Sequence, residues 1–208
     1  PGAGTQITNN WVKLVSERLL LGTSHNYGVS GSVIAVKESE PATRNPMVDR
    51  VDSVDANSDL IVVAGGTNDW EHDWTPFGDT ETEVGTTATK YTFCGALDIL
   101  CRELITRFPT KKIAFLTPIK RDYNSANSFG KTLGEYADAI KVVCGRYGIP
   151  VFDMFNEVCI NPYFTNANGA APRNQSPQYS LLIPDGTHPS EDGHAFMASR
   201  IFGFLNSL

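Results

Sequence analysis

The chain is short of basic residues and has no long apolar run. Its 208 residues include 17 Lys and Arg against 23 Asp and Glu, a formal net charge of −6 at pH 7. A nucleic-acid-binding surface needs clustered positive charge, so no nucleic-acid partner is expected. No apolar stretch approaches the roughly 20 residues that a helix needs to span a bilayer. No signal peptide is visible, although a mature secreted protein would also lack one.

Cysteine is scarce and follows no metal-binding pattern. The four residues are Cys94, Cys101, Cys144 and Cys159. Cys94 and Cys101 lie in one predicted helix, about 10 Å apart along its axis, too far for a disulfide. The sequence therefore predicts four small buried hydrophobic residues and no metal site.

The hydrophobic pattern predicts a single α/β domain over residues 1–208. Three apolar runs, at residues 59–64, 112–117 and 149–153, are near-continuous, as is typical of parallel strands covered on both faces. A weaker fourth run lies at 32–36, or just before it at 25–27.

Helical spacing of apolar residues alternates with these strands. The helical segments are residues 11–20, 93–108, 133–147 and 191–205, with Gly148 as a C-cap and Ser190 as an N-cap. This alternation predicts a three-layer α/β/α sandwich around a parallel sheet. Two long irregular stretches, 69–89 and 156–183, have lengths typical of functional or mobile loops.

Ligands of such folds bind beyond the carboxyl ends of the strands. Just before the last helix, Asp185 and His188 are three positions apart in a predicted turn. This spacing lets the carboxylate reach Nδ1 of the imidazole and fix its tautomer, which makes the histidine a general base for a hydroxyl nucleophile. The alternative is that Asp185 forms an Asx-turn and His188 is a loop residue.

Two further candidates are hydrogen-bond donors for an oxyanion. Asn68, in Gly66-Thr67-Asn68-Asp69 after the strand at 59–64, could present its amide N–H to the cleft. Gly31 could offer a backbone N–H, since its missing Cβ allows close approach. The alternative in both cases is a structural turn.

An aromatic cluster follows Asn68 directly. Trp70, His72 and Trp74 could form a wall that stacks on a sugar ring or acyl chain, or could simply pack the long loop. Tyr163, Phe164 and Tyr179 could line the opposite side.

The order of these motifs resembles one family. Residues Asn26-Tyr27-Gly28-Val29-Ser30-Gly31, Gly66-Thr67-Asn68-Asp69 and Asp185-Gly186-Thr187-His188-Pro189 are similar to blocks II, III and V of the SGNH (GDSL-like) hydrolases. The resemblance implies a flavodoxin-like fold and hydrolysis of esters or thioesters without a metal or organic cofactor. It also implies that Gly31 and Asn68 are oxyanion donors and that Asp185 and His188 are the acid–base pair.

One block of the family pattern does not occur in these residues. Block I, Gly-Asp-Ser after the first strand, supplies the nucleophile, and Ser24, Ser30 and Ser32 do not have its setting. In the family's strand order, 2-1-3-4-5, the first strand lies between the second and third. The resemblance therefore predicts that this strand and its serine belong to an upstream segment, a separate chain or other residues outside this sequence.

The sequence thus predicts a serine esterase that works through an acyl-enzyme. The aromatic and polar loops favour a small acyl ester, such as acetyl on a carbohydrate. The alternative is a non-catalytic carbohydrate-binding or structural domain on the same scaffold. A flavodoxin-like nucleotide binder is disfavoured because no glycine-rich phosphate loop is present. The pattern does not indicate an oligomeric state.

Overall fold

The computed structural model describes residues 7–123, 125–162 and 176–208. Its helices and strands, in chain order, are α1 (Trp11–Arg18), β1 (Leu60–Ala64), α2 (Thr67–Glu71), α3 (Phe93–Arg107), β2 (Lys112–Leu116), α4 (Leu133–Arg146), β3 (Val151–Phe152), α5 (Met154–Glu157), α6 (Pro177–Leu182) and α7 (Glu191–Asn206). Short 3₁₀ helices lie at Met47–Asp49, Val51–Ser53 and Gly85–Thr87.

The chain divides into two compact units. The first comprises Pro1–Ser30, Ile119–Ser125 and Asn156–Leu208, and the second comprises Gly31–Pro118 and Ala126–Phe155. The single domain predicted for residues 1–208 stays a prediction.

A parallel sheet forms the centre of the second unit. Its strand order is β1-β2-β3, with Leu60 opposite Lys112 and Phe115 opposite Val151. The three strands predicted from the apolar runs are confirmed, and helices flank the sheet, which confirms the α/β class. Since the strands are parallel, their carboxyl ends lie at one edge of the sheet, where bound ligands are expected.

Caps fix the helices of the second unit. The Thr92 hydroxyl accepts from the Gly95 N–H to begin α3, which ends at Arg107, two residues before Pro109. Thr132 and Glu135 form a capping box at the start of α4. The two helices pack against each other.

The predicted fourth strand is wrong. Residues 33–36 are completely buried, but neither they nor residues 25–27 form a strand. The N–H of Ile34 donates to the Asp69 carboxylate, and that of Val36 donates to the Lys90 carbonyl. The apolar run therefore indicated burial but not a strand. Its backbone N–H groups donate to acceptors in loops and in α2, and not to a neighbouring strand.

The cysteine prediction holds for three residues of four. Cys94, Cys101 and Cys144 are buried free thiols, and the Sγ atoms of Cys101 on α3 and Cys144 on α4 are 3.8 Å apart. Burial is one cause that raises the pKa of the Cys94 thiol to about 12. Cys159 is exposed, contrary to the prediction, in a left-handed backbone conformation outside any helix or strand.

In the first unit, α1 packs against α7. The backbone N–H of Trp11, at the start of α1, donates to Nδ1 of the buried His194 (3.3 Å). Burial lowers the pKa of this imidazole, which favours the neutral form that can accept. None of the helices in the described part of the chain is both long and apolar enough to span a membrane.

Both stretches that were expected to be irregular contain ordered elements. Helix α6 lies within residues 156–183, with Ser176 as its N-cap and Pro177 in its first turn. The first stretch begins within α2, and its later part is hydrogen-bonded to α3. There the buried Asp98 carboxylate accepts from the Gly85 N–H (2.9 Å), and Arg102 donates to the Gly85 carbonyl (3.0 Å).

Candidate active site

The Asp185–His188 pair forms in the turn that leads into α7. Nδ1 of His188 lies 2.7 Å from Oδ2 of Asp185. The other carboxylate oxygen accepts from the backbone N–H groups of Thr187 (2.8 Å) and His188 (2.6 Å). The Asx-turn and the imidazole contact, which the sequence presented as alternatives, therefore occur together.

Two anchors hold this turn in place. The hydroxyl of the buried Tyr179 donates to the Gly186 carbonyl (3.0 Å) at the centre of the turn. Ser190, the N-cap of α7, donates its backbone N–H to the Leu182 carbonyl and its hydroxyl to that of Leu181 (2.8 Å each). The turn is thus closed at its base by α6 and α7, which orients the imidazole.

The electrostatics of the pair suit a histidine base. Partial burial acts to raise the pKa of Asp185, but the backbone N–H of His188, its imidazole and the Thr187 N–H together lower this pKa to about 2. The carboxylate is therefore ionised at neutral pH and only accepts hydrogen bonds. Nδ1 therefore donates to this carboxylate, and in the neutral imidazole Nε2 carries the lone pair that can take a proton from a substrate or nucleophile.

In the second unit, a glycine turn places Asn68 just beyond the carboxyl end of β1. Gly66 has φ +99°, a left-handed conformation that favours glycine, and α2 begins at the next residue. Nδ2 of Asn68 donates to the Ser32 carbonyl at 2.8 Å. The amide has a second N–H, and that group has no acceptor among the residues that the structure describes.

The same hydrogen bond brings the two predicted oxyanion donors together. Ser32 follows Gly31, which has φ +72°, so Asn68 is tied to the residue after the glycine. Two segments that are 36 residues apart thus meet. Their role as oxyanion donors stays a prediction.

Asp69 is a residue to which the sequence analysis gave no role. Its carboxylate is completely buried and accepts from the backbone N–H groups of Ile34 and Ala35, each at 3.0 Å. Burial raises the pKa of this carboxyl to about 6, while those hydrogen bonds act to lower it. Asp69 therefore fixes the segment after Gly31 against the turn that carries Asn68. The sequence feature that could have indicated this role is its position in the Gly66-Thr67-Asn68-Asp69 motif.

The buried Asp69 predicts a pH-dependent stability. Because its folded pKa lies above the usual 3.8, the folded state holds this proton more tightly than the unfolded state. Stability from this group is therefore greatest below pH 4 and falls as the pH rises through 6, by about 3 kcal/mol for roughly two pKa units. Urea unfolding of wild type and Asp69→Asn between pH 4 and 7 measures it. The difference between the two free energies of unfolding should change with pH, and parallel curves would contradict the prediction.

The tryptophans do not form the exposed wall considered above. Trp70 is 2% exposed and Trp74 5%, and their indole N–H groups donate to the carbonyls of Lys131 and Ala35 (3.1 Å each). This corrects the expectation that both rings are available to substrate, in favour of the packing alternative. His72, the third residue of the predicted wall, is exposed.

Of the three aromatic residues that could line the opposite side, the structure describes Tyr179 alone. Tyr179 is buried and anchors the Asp185–His188 turn instead of lining a surface. Tyr163 and Phe164 lie outside the described residues. The structure thus unites Asp185 with His188 in the first unit and links Gly31 and Asn68 through Ser32 in the second.

Solved structures share this architecture. A protein from Lactobacillus plantarum is 25% identical with a TM-score of 0.80, and the match covers 98% of this chain and 90% of that one. A possible lipase from Chitinophaga pinensis is 21% identical (TM-score 0.72; 95% and 88% covered). Est24, a carbohydrate acetylesterase from Sinorhizobium meliloti, is 15% identical (TM-score 0.62; 96% and 85% covered). The identities of the last two are low, so they show similarity of fold alone.

The sequence itself assigns the family. No curated protein matches the chain significantly. The profile of the GDSL-like Lipase/Acylhydrolase family, however, matches residues 2–196, nearly the whole chain. With its parallel sheet flanked by helices, this chain belongs to the GDSL-like lipase/acylhydrolase family of hydrolases.

Proposed function

We propose that this chain is the main part of a serine esterase that hydrolyses small acyl esters. The observation that carries the proposal is the 2.7 Å contact between Nδ1 of His188 and the ionised Asp185, which leaves Nε2 as a base. The tie between Asn68 and Ser32 supports it, because it joins the candidate oxyanion donors at the end of β1.

In the proposed reaction His188 takes the proton of a serine hydroxyl as its oxygen attacks the ester carbonyl. Asp185 stabilises the imidazolium, while the Gly31 N–H and the Asn68 amide hold the oxyanion. The imidazolium then gives its proton to the departing alcohol, which leaves an acyl-enzyme. Water, deprotonated by His188, attacks the acyl carbonyl and releases the acid and the serine.

We infer that this serine lies outside the 208 residues. Ser32 is a poor candidate, because its buried hydroxyl donates to the Asn45 carbonyl (2.8 Å) and accepts from Arg50 (2.8 Å). Within the described sheet, β1 is an edge strand, and its apolar Val62 and Val63 are only half-buried. An additional strand beside β1, which the family pattern places there, would cover these side chains and bring the nucleophile to the same edge.

We further propose that the acyl group is small and that its alcohol is a carbohydrate. Est24, which shares this fold, is a carbohydrate acetylesterase. The polar character of the two long stretches, 69–89 and 156–183, favours a sugar over a lipid chain.

A fluorophosphonate probe tests the proposal, since it phosphonylates only an activated serine. The complete protein should be labelled on one serine, in a Gly-Asp-Ser context, and should hydrolyse 4-nitrophenyl acetate. Mass spectrometry of the labelled peptide identifies the residue. Absence of both labelling and hydrolysis would favour the non-catalytic carbohydrate-binding or structural alternative.

A further inference from the structure

An arginine lies against the candidate oxyanion turn. Nη1 of Arg44 is 3.5 Å from the Gly31 carbonyl oxygen, and its guanidinium carbon is 5.4 Å from the centre of the buried Trp74 ring. Ser32, the next residue after Gly31, accepts the hydrogen bond of Asn68. The guanidinium thus lies beside Gly31, one of the two proposed oxyanion donors.

Arg44 differs from the neighbouring cations in lacking a carboxylate partner. Lys37, which also lies over Trp74 (5.0 Å), pairs with Glu40 at 2.7 Å. Lys90 likewise pairs with Asp49 at 2.9 Å. Among the described residues, no carboxylate lies within ion-pair distance of Arg44.

Most N–H groups of the Arg44 guanidinium therefore have no hydrogen-bond acceptor among the described residues. A guanidinium carries five N–H groups, and the hydrogen bond of this one within the described chain is the long contact to Gly31. The group is half-buried and supported on an indole face, which restricts its motion. A fixed, partly desolvated fork of donors binds a carboxylate in a bidentate manner.

The backbone conformation at Arg44 is also energetically unfavourable. Arg44 has φ +61°, a left-handed conformation that residues other than glycine seldom adopt, whereas the following Asn45 (φ +44°) is of a type that tolerates it better. Such strain costs about 1–3 kcal/mol per residue and is found most often at functional sites.

We propose that Arg44 is a specificity residue that binds a carboxylate of the ester substrate. This inference rests on the proposed esterase function and defines its substrate as an anionic ester. The chain carries a net charge of −6, which disfavours an anion in general, so selection of one requires a dedicated cation at the site. The carboxylate can belong to the acyl group, as in a dicarboxylic half-ester, or to the alcohol, as in an acetylated uronic acid.

Two matched substrate pairs test the proposal and distinguish its two forms. The first pair is the 4-nitrophenyl half-ester of adipic acid and 4-nitrophenyl hexanoate, which differ in charge on the acyl side. The second is an O-acetyl methyl glucuronoside and the corresponding glucoside. In one pair, Arg44→Gln should lower kcat/KM for the anionic member by about 10- to 100-fold, the loss typical of a charge-assisted hydrogen bond. The neutral member should change less than about 3-fold, and Arg44→Lys should be intermediate.

Lys37→Gln is the matched control, because Lys37 lies over the same ring but is already paired with Glu40. This variant should leave both members of each pair unchanged. Equal losses on anionic and neutral esters in Arg44→Gln would mean that Arg44 only supports the Gly31 turn, and would overturn the proposal. Unchanged kinetics in both pairs would overturn it as well.

A binding measurement separates this inference from the proposed function. If wild type hydrolyses no ester, the esterase proposal fails, whereas titration with sodium glucuronate requires no turnover. Calorimetric binding to wild type that is lost in Arg44→Gln would still support the carboxylate site. Equal binding by the two proteins, or binding by neither, in titrations with sodium glucuronate and with sodium adipate alike would reject it.

Discussion

In the complete protein, which includes the nucleophile serine, His188→Ala should lower kcat/KM for 4-nitrophenyl acetate by at least about 10³-fold. A serine hydroxyl is a weak nucleophile unless a base takes its proton as it attacks, and Nε2 of His188 is the base that the Asp185 contact leaves free. Alanine removes the base and the acid of both half-reactions. Initial rates of nitrophenolate release measure the loss, and fluorophosphonate labelling should slow in parallel.

His25→Ala is the control for this experiment. His25 is exposed, and the proposed mechanism does not use it. It should retain wild-type turnover, and circular dichroism should show that both variants remain folded. A folded His188→Ala protein with wild-type turnover would refute the assignment of His188 as the base.

Asp98→Ala should lower the free energy of unfolding by about 4 kcal/mol. The side chain of Asp98 is 0% exposed and is the shared acceptor of a network on α3. It accepts from the Tyr147 hydroxyl (2.6 Å), Nε of Arg102 (2.9 Å) and the Gly85 N–H (2.9 Å). Burial acts to raise the pKa of this carboxyl, but these hydrogen bonds lower it, so it is charged at neutral pH.

The size of this effect follows from what alanine leaves behind. Two guanidiniums, of Arg102 and Arg146, lose their common anion, and the Tyr147 hydroxyl loses its acceptor in a part-buried site. Unsatisfied groups of this kind keep their desolvation cost without the compensating bond. The Gly85 segment is released at the same time, so the long stretch 69–89 should exchange its amide hydrogens faster.

Asp138→Ala is the matched control on the neighbouring helix. Asp138 pairs with Lys141 at 2.8 Å, but its side chain is 66% exposed. An exposed ion pair contributes about 0–1 kcal/mol, so the free energy of unfolding of this variant should be close to that of wild type. Chemical denaturation of both variants measures the contrast, and similar midpoints would contradict the importance given to the Asp98 network.

Some features of the site were predictable because they are local. Asp185 and His188 are three positions apart in one turn, so the carboxylate can reach both the imidazole and the backbone N–H groups without help from distant residues. The N-cap at Ser190 is local in the same sense. The strands β1 and β2 were predictable because a continuous apolar run can be buried on both faces only inside a layered fold.

Other predictions failed because an apolar run reports burial and not the partner of its backbone. Residues 33–36 are as buried as any strand, yet the N–H groups of Ile34 and Ala35 donate to the Asp69 carboxylate 34 to 35 positions away. The tryptophans present the same ambiguity. An indole in a polar stretch can line a cleft or fill the core. Both indoles are in the core here, because carbonyls from distant segments accept their N–H groups.

The sequence by itself determined the family, the α/β class and the Asp185–His188 pair, since motifs, periodicity and short turns are encoded within a few neighbouring residues. The tertiary structure alone decided that Asn68 meets Ser32, that the Asp69 carboxylate is buried, and that Arg44 lies beside Gly31 without a carboxylate partner among the described residues. These contacts join segments 13 to 36 residues apart. No spacing rule specifies them, because they depend on how the loops close over the end of the sheet.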